Sequence, residues 1–176
     1  GHLTNVTNLS SLASWTADQF DPTLTWEDIA WIKDRWKGKL ILKGIMDSED
    51  AMLAVKAGAD AIIISNHGGR QLDGAPSTIS VLPEIVDAVN SKVEVHFDGG
   101  VRSGQDVLKA LALGADCIHI GRPYVYGLGA KGQEGVEIAI EIIKKELDLT
   151  MAMCGETNIS NVGLHNLHHN PFKIIN

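Results

Sequence analysis

Basic side chains are scarce: 15 Lys and Arg stand against 22 Asp and Glu, for a net charge of −7. Nucleic-acid backbones demand clustered cations, so nucleic acid is not expected as a main partner. Cysteine is rarer still, with only Cys117 and Cys154. Two thiols give no disulfide framework, and Cys117 lies in an apolar stretch where a thiol behaves as a small hydrophobe. A reducing, cytoplasmic setting is the expectation. No apolar run approaches the roughly 18 residues of a membrane span. The polar start, Gly1-His2-Leu3-Thr4-Asn5, is not a signal-peptide pattern. What is present is a chain of 176 residues, 44% of them apolar, enough for one soluble globular unit.

Three stretches divide the chain. Residues 1–24 are polar and rich in Ser, Thr and Asn, a loop-like segment, and 156–176 read as a C-terminal tail. Between them, 25–155 alternate strand and helix. Thr25 with Asp28 forms a cap pattern opening a helix with Ile29, Ile32 and Trp36 on one face. Strands are expected at Leu40–Lys43, Ala61–Ser65, Val93–Phe97 and Cys117–Ile120. Helices should start near Ser48, near Thr78, at Ser103 (with Asp106 as its cap partner) and near Glu134. Apolar strands alternating with amphipathic helices imply a parallel sheet buried on both faces.

An internal repeat supports this. Ala54 to Ile64, containing Gly58-Ala59-Asp60, matches Ala110 to Ile120, containing Gly114-Ala115-Asp116. In both, a glycine ends the helix where a left-handed backbone is needed. The chain then drops through Ala-Asp into a strand. Such joints belong to (β/α) barrels, which need eight units and typically ~250 residues. Four units are countable, so the expected fold is α/β, the C-terminal half of a TIM (β/α)8 barrel. Both edges of such a half would expose unpaired backbone.

Polar chemistry gathers where the strands end, which is where sites in this architecture lie. After Ala61–Ser65 comes Asn66-His67-Gly68-Gly69-Arg70-Gln71-Leu72-Asp73. It sets a proton acceptor and a carboxylate-binding guanidinium three residues apart, with little side chain between them. Asp98-Gly99-Gly100-Val101-Arg102-Ser103-Gly104 combines free N–H groups, a cation and a helix N-terminus, suiting a phosphate. It is also readable as an ordinary turn before a helix. Gly121-Arg122-Pro123 is a weaker signal of the same kind, and Lys43 is either a snorkelling surface lysine or a fixed cation beside an anionic cofactor. His165, His168 and His169 contain an i,i+4 pair; a solvated tail explains them more simply than a metal site. Val136, Ile140 and Ile143 read as a core-facing stripe.

Taken together, Lys43-Gly44, Ser65 to Asp73, Asp98 to Arg102 and Gly121-Arg122-Pro123, in that order, resemble the FMN-dependent α-hydroxy acid dehydrogenases and oxidases. The likeness runs from about Leu24 to Gly155 and is closest to lactate- and mandelate-type members. It implies oxidation of an L-2-hydroxy acid to the 2-oxo acid, with electrons passing through FMN to a quinone, a cytochrome or oxygen. By resemblance, His67 is the catalytic base and Arg70 binds the substrate carboxylate. Lys43 and Ser65 then lie against the flavin and Asp98 holds the ribityl chain. Gly99, Gly100, Val101, Arg102, Gly121 and Arg122 cradle the FMN phosphate. The substrate tyrosines and other groups of the family's first four strands have no counterpart here. The N-terminal half of the barrel is therefore an expected partner, alongside homo-oligomer formation, and attachment to the inner membrane as a peripheral protein is compatible with the resemblance. No metal is implied. The alternative is a non-catalytic half-barrel that binds FMN or another phosphate, or an IMP dehydrogenase-like barrel, in which the His67/Arg70 turn is not expected.

Overall fold

A computed structural model describes residues 23–168, together with Trp15 and Asp21. Most of the 1–24 segment, and His169 of the tail, lie outside the described residues. Helix α1 (Trp26–Arg35) is opened by Thr25 and Asp28 in a reciprocal cap. Strands β1 (Ile41–Ile45), β2 (Ala61–Ile64), β3 (Glu94–Phe97) and β4 (Cys117–Ile118) alternate with helices α2 (Ser48–Lys56), α3 (Thr78–Val89), α4 (Gly104–Ala112) and α5 (Arg122–Met153). The strands lie in chain order, β1-β2-β3-β4, and every neighbouring pair is parallel. This is the expected four-unit half of a barrel.

The repeated Gly-Ala-Asp joints explain how each helix is fastened to the sheet. Gly58 (φ 80°) and Gly114 (φ 100°) end α2 and α4 in the left-handed region. The next residues, Ala59 and Ala115, donate back to Ala54 and Ala110, completing the same C-terminal motif twice. Each aspartate then grips a neighbouring strand at two points. The Asp60 N–H donates to Leu40 O (2.8 Å) while its carboxylate accepts from Leu40 N (2.9 Å). Asp116 does the same with Val95 O and N, at 2.8 Å each. Asp60 also takes Lys33 Nζ at 2.6 Å and Lys39 Nζ at 2.9 Å. These donors, the Lys33 ammonium foremost, hold its carboxyl well below the usual carboxylate range. A depressed folded-state pKa contributes stability above the unfolded value, near ~3.9, that is lost as pH falls through the folded one. Asp60→Asn should therefore lower Tm at neutral pH, and the gap to wild type should close in acid. Melts from pH 7 downward measure this directly.

Three sequence expectations need correction. The sheet is fully buried on one face and only partly on the other: Ile62, Ile64, Val95 and Phe97 pack under the helices with Leu82, Ile85 and Val89. On the other face Ile63, Cys117 and His119 are half-buried, and Ile41 is exposed. Among the described residues nothing packs across the inner side of the half-barrel. Second, the last helix begins at Arg122, with Pro123 in its first turn, not near Glu134. Lys131 and Gly132 leave helical geometry (Gly132 φ 62°), so the expected start marks a restart after a kink. There the two limbs touch through glycine: a Cβ on Gly135 would lie 1.9 Å from the Gly127 carbonyl oxygen. Third, Ile143 is buried but Ile140 is 50% exposed. Beyond the kink α5 carries apolar residues on several faces (Val136, Ile138, Ile140, Ile142, Ile143), and its principal helix neighbour is α4. Only one stripe can be covered.

The segment after α5 is largely exposed, as expected of a solvated tail, but it is tied down. Its 3₁₀ turns, Ile159–Asn161 and Leu164–Asn166, are secured by Glu156, which accepts from Asn166 Nδ2 and meets His165 Nε2, both at 2.8 Å. Leu167 packs against the core.

Candidate active site

Each strand delivers polar groups in or just beyond its carboxyl half, and hydrogen bonds join those of β1, β2 and β3. Lys43 lies within β1, not at its end, because the strand runs on through a bulge at Gly44 (φ 102°) to Ile45. Its Nζ donates to Ser65 Oγ at 2.7 Å and pairs with Asp98 Oδ2 at 2.9 Å, tying β1, β2 and β3 together. Ser65 is buried, and its hydroxyl oxygen also accepts the His67 N–H at 3.2 Å.

From there the chain makes a 3₁₀ turn, His67–Gly69. His67 (φ 60°), Gly68 (φ 68°) and Gly69 (φ 72°) are all left-handed. For histidine that conformation is uncommon and costs of order 1 kcal/mol, so surrounding contacts must impose it. They are visible. Asn66 Oδ1 accepts the Gly68 N–H (3.0 Å), Asn66 Nδ2 donates to Pro76 O (3.2 Å), and Arg122 Nη2 donates to Gly68 O (2.8 Å). His67 and Arg70 are both exposed on this turn. Ser65→Ala would remove a buried acceptor serving both Lys43 and the turn. It should cost about 1–2 kcal/mol, read as a lower urea midpoint.

The loop after β3 approaches the same turn. Gly99 (φ 96°) has no room for a side chain: a Cβ would stand 2.7 Å from Thr78 Oγ1 and 3.4 Å from Asn66 Oδ1. Gly68, Gly99, Gly100, Val101 and Arg122 line one groove of about 480 Å³, with Lys109 on its wall. Next to it Ser103 and Asp106 cap α4 reciprocally, and Asp106 Oδ2 also accepts the Arg102 N–H at 3.0 Å. Arg102 and Gly121 are exposed and do not line the groove. Of the sequence-derived candidates, Lys43, Ser65 and Asp98 thus form one bonded trio. Gly99, Gly100, Val101 and Arg122 form the groove, and His67 and Arg70 share the turn that joins them.

Two groups escaped the sequence reading. Asn66 shapes the turn, which Asn before a glycine pair does characteristically by bonding its own backbone two residues on. His96, 8% exposed, sits with Cys117 and His119 on the open face. The signal for these was polar residues at inward positions of otherwise apolar strands. His165 is paired with Glu156, as described above, which gives that tail histidine a structural use.

A profile of FMN-dependent dehydrogenases matches residues 2–169. Among curated proteins, the chain is 49% identical over 165 residues to 2-hydroxyacid oxidase 1 of Mus musculus, covering 94% of this chain and 45% of that protein. It is 45% identical over 167 residues to an L-lactate dehydrogenase of Stenotrophomonas maltophilia, covering 95% and 44%. A solved structure of mandelate oxidase with (S)-4-hydroxymandelic acid superimposes with a TM-score of 0.82 at 46% identity, covering 86% of this chain and 42% of that one. The chain spans less than half the length of these relatives. Among the described residues no helix is long and apolar enough to cross a membrane.

Proposed function

The chain belongs to the FMN-dependent dehydrogenase family, and we propose that it provides the strand ends at which an L-2-hydroxy acid, lactate- or mandelate-like, is oxidised to the 2-oxo acid. One observation carries this reading: Arg122, the His67–Gly69 turn and Gly99 converge on a single groove beside the Lys43–Ser65–Asp98 trio. Arg70 receives the substrate carboxylate in its planar fork, a bidentate pairing. His67 takes up the proton that the acid sheds on becoming a 2-oxo acid, a task imidazole suits near neutral pH.

The residues present fit FMN on a specific ground. Gly99 and Gly100 hold positive φ, and a Cβ on Gly100 would meet only open space, so the loop presents backbone to the groove with nothing filling it. Arg122 and Lys109 on the groove wall outnumber the one carboxylate there, Asp106, which is already engaged by Ser103 and the Arg102 N–H. When bound, FMN is the two-electron acceptor. Gly99, Gly100, Val101 and Arg122 would hold its phosphate, with Arg102 and Gly121 beside the groove and Asp98, Ser65 and Lys43 along the remainder. Lys43 comes with its charge matched by Asp98, so it contributes a fixed donor instead of an uncompensated cation. Arg122→Met removes a charged donor worth about 1.5–3 kcal/mol, so FMN affinity should fall roughly ten- to a hundredfold. Flavin fluorescence titration reads this.

What is left uncovered supports an N-terminal half-barrel as the partner. Among the described residues nothing pairs the outer edges of β1 and β4, Ile41 is exposed, and α5 shows Ile138, Ile142, Leu149 and Met153 to solvent. An N-terminal half-barrel would pair those edges and cover that face. The test is turnover: this chain is combined with the N-terminal half of a relative and FMN, and offered L-lactate, glycolate or (S)-mandelate with a dye acceptor. Oxidation of at least one acid is expected. A reassembled, flavin-loaded barrel that oxidises none of them would remove the reading.

A further inference from the structure

We propose that His96, Cys117 and His119 form a binding site for one borderline divalent transition-metal ion, of the zinc and cobalt class. The site lies on the sheet face turned away from the helices, separate from the groove. His96 and Cys117 are register partners on β3 and β4, and His119 follows one pleat on, its N–H donating to Phe97 O at 2.8 Å. Two side chains on paired strands and a third one residue past β4, held to β3 by its N–H, are thus presented by hydrogen-bonded backbone.

Their donor atoms are close to a coordination sphere. His96 Nδ1 and His119 Nε2 are 3.1 Å apart, and one donor atom from each of His96, Cys117 and His119 falls within 4.8 Å of the others. A tetrahedral ion bonded at about 2.0–2.1 Å to nitrogen and 2.3 Å to sulfur requires about 3.3 Å between nitrogens and 3.6 Å from nitrogen to sulfur. The nitrogens need almost no movement, and the sulfur needs roughly 1 Å at most. The remaining ring nitrogen of His96, Nε2, is 3.1 Å from Glu94 Oε2. That is the carboxylate–imidazole relay that orients metal-bound histidines and fixes which nitrogen faces the ion. Two imidazoles and a thiolate select zinc, cobalt or copper over magnesium or calcium, and three protein ligands leave one position open. Without an ion, the two imidazoles can only share a proton across their contact. That satisfies both rings and leaves the adjacent thiol as a small hydrophobe, whereas an ion uses all three side chains.

The experiment is a cobalt(II) titration of the reduced, chelator-stripped 176-residue chain. One equivalent should bind, raising a near-ultraviolet thiolate-to-cobalt band and visible bands of tetrahedral intensity, and zinc should abolish both. Cys117→Ala should remove the near-ultraviolet band, whereas Cys154→Ala and the double variant His165→Ala/His168→Ala should keep it. Glu94→Gln, which touches no ion, should weaken binding by about ten- to a hundredfold. No thiolate band in the wild-type chain, or a band that survives Cys117→Ala, would overturn the site. Where circular dichroism shows that a variant has not folded, X-ray absorption on wild type decides. One sulfur with two or more nitrogen neighbours upholds the site, and a shell without sulfur overturns it. None of these readouts involves flavin, so the outcome is independent of the proposed function.

Discussion

In the reassembled barrel, His67→Asn should lower turnover of the hydroxy acid by about 10²–10⁴-fold, the usual worth of a positioned base, while FMN retention stays unchanged. Asparagine is the informative replacement because His67 has φ 60°. Asn is among the few side chains at ease in the left-handed region, so the turn keeps its course. Alanine would mix the loss of a base with backbone strain of roughly 1–2 kcal/mol. The turn also has supports that the substitution leaves alone: Ser65 Oγ on the His67 N–H, Asn66 on the Gly68 N–H and Arg122 on the Gly68 carbonyl. An unchanged kcat would mean that His67 only shapes the turn. A large loss with intact flavin binding places proton transfer on its imidazole. Arg70→Lys provides the companion result, since an ammonium lacks the planar fork and the loss should fall mainly on KM.

Gly104→Ala should destabilise the chain by about 3 kcal/mol or more, at the upper end of what overpacking costs. Gly104 is buried in the first turn of α4, and its N–H donates to Glu146 Oε2 at 2.9 Å. A Cβ there would sit 1.9 Å from Leu147 N and 2.3 Å from the Glu146 carbonyl carbon. These are backbone atoms of α5, which cannot swing aside as a side chain would. The two helices would have to part, uncovering Val107 and Ile143, both 9% exposed as they stand. Helix propensity pushes the other way, favouring Ala over Gly by roughly 1 kcal/mol. The sign of the effect therefore decides the matter: tight packing predicts a Tm lower by roughly 6–12 °C, and loose packing a small rise.

Much of this architecture can be read from residue order because its joints are local. Gly58 and Gly114 declare themselves as helix ends, and Asp60 and Asp116 repeat at the same distance beyond them. The strand that each aspartate grips, however, becomes visible only in the sheet. The polar positions in and just after the strands were legible for the same reason, since Lys43, Ser65 and Asp98 interrupt apolar runs. What could not be read depends on contacts distant in sequence. The beginning of α5 was hidden because Pro123 suits a first turn while glycines 127, 129 and 132 suggest a loop, and only the Gly127–Gly135 approach shows why they are needed. Ile140 and Ile143 share one helical stripe, yet only the position of α4 separates the exposed from the buried. The pairing of Lys43 with Asp98 and the reach of Arg122 to Gly68 span 55 and 54 positions. No periodicity encodes either.

The most direct measurement is anaerobic mixing of the reassembled, FMN-loaded barrel with L-lactate or (S)-mandelate, followed through the flavin absorbance near 450 nm (about the usual maximum for oxidised flavins). Bleaching by the L-acid, absent with its mirror image and slowed by His67→Asn, is the expected result. Flavin that stays oxidised with every L-2-hydroxy acid, in a barrel shown to hold its FMN, would contradict it.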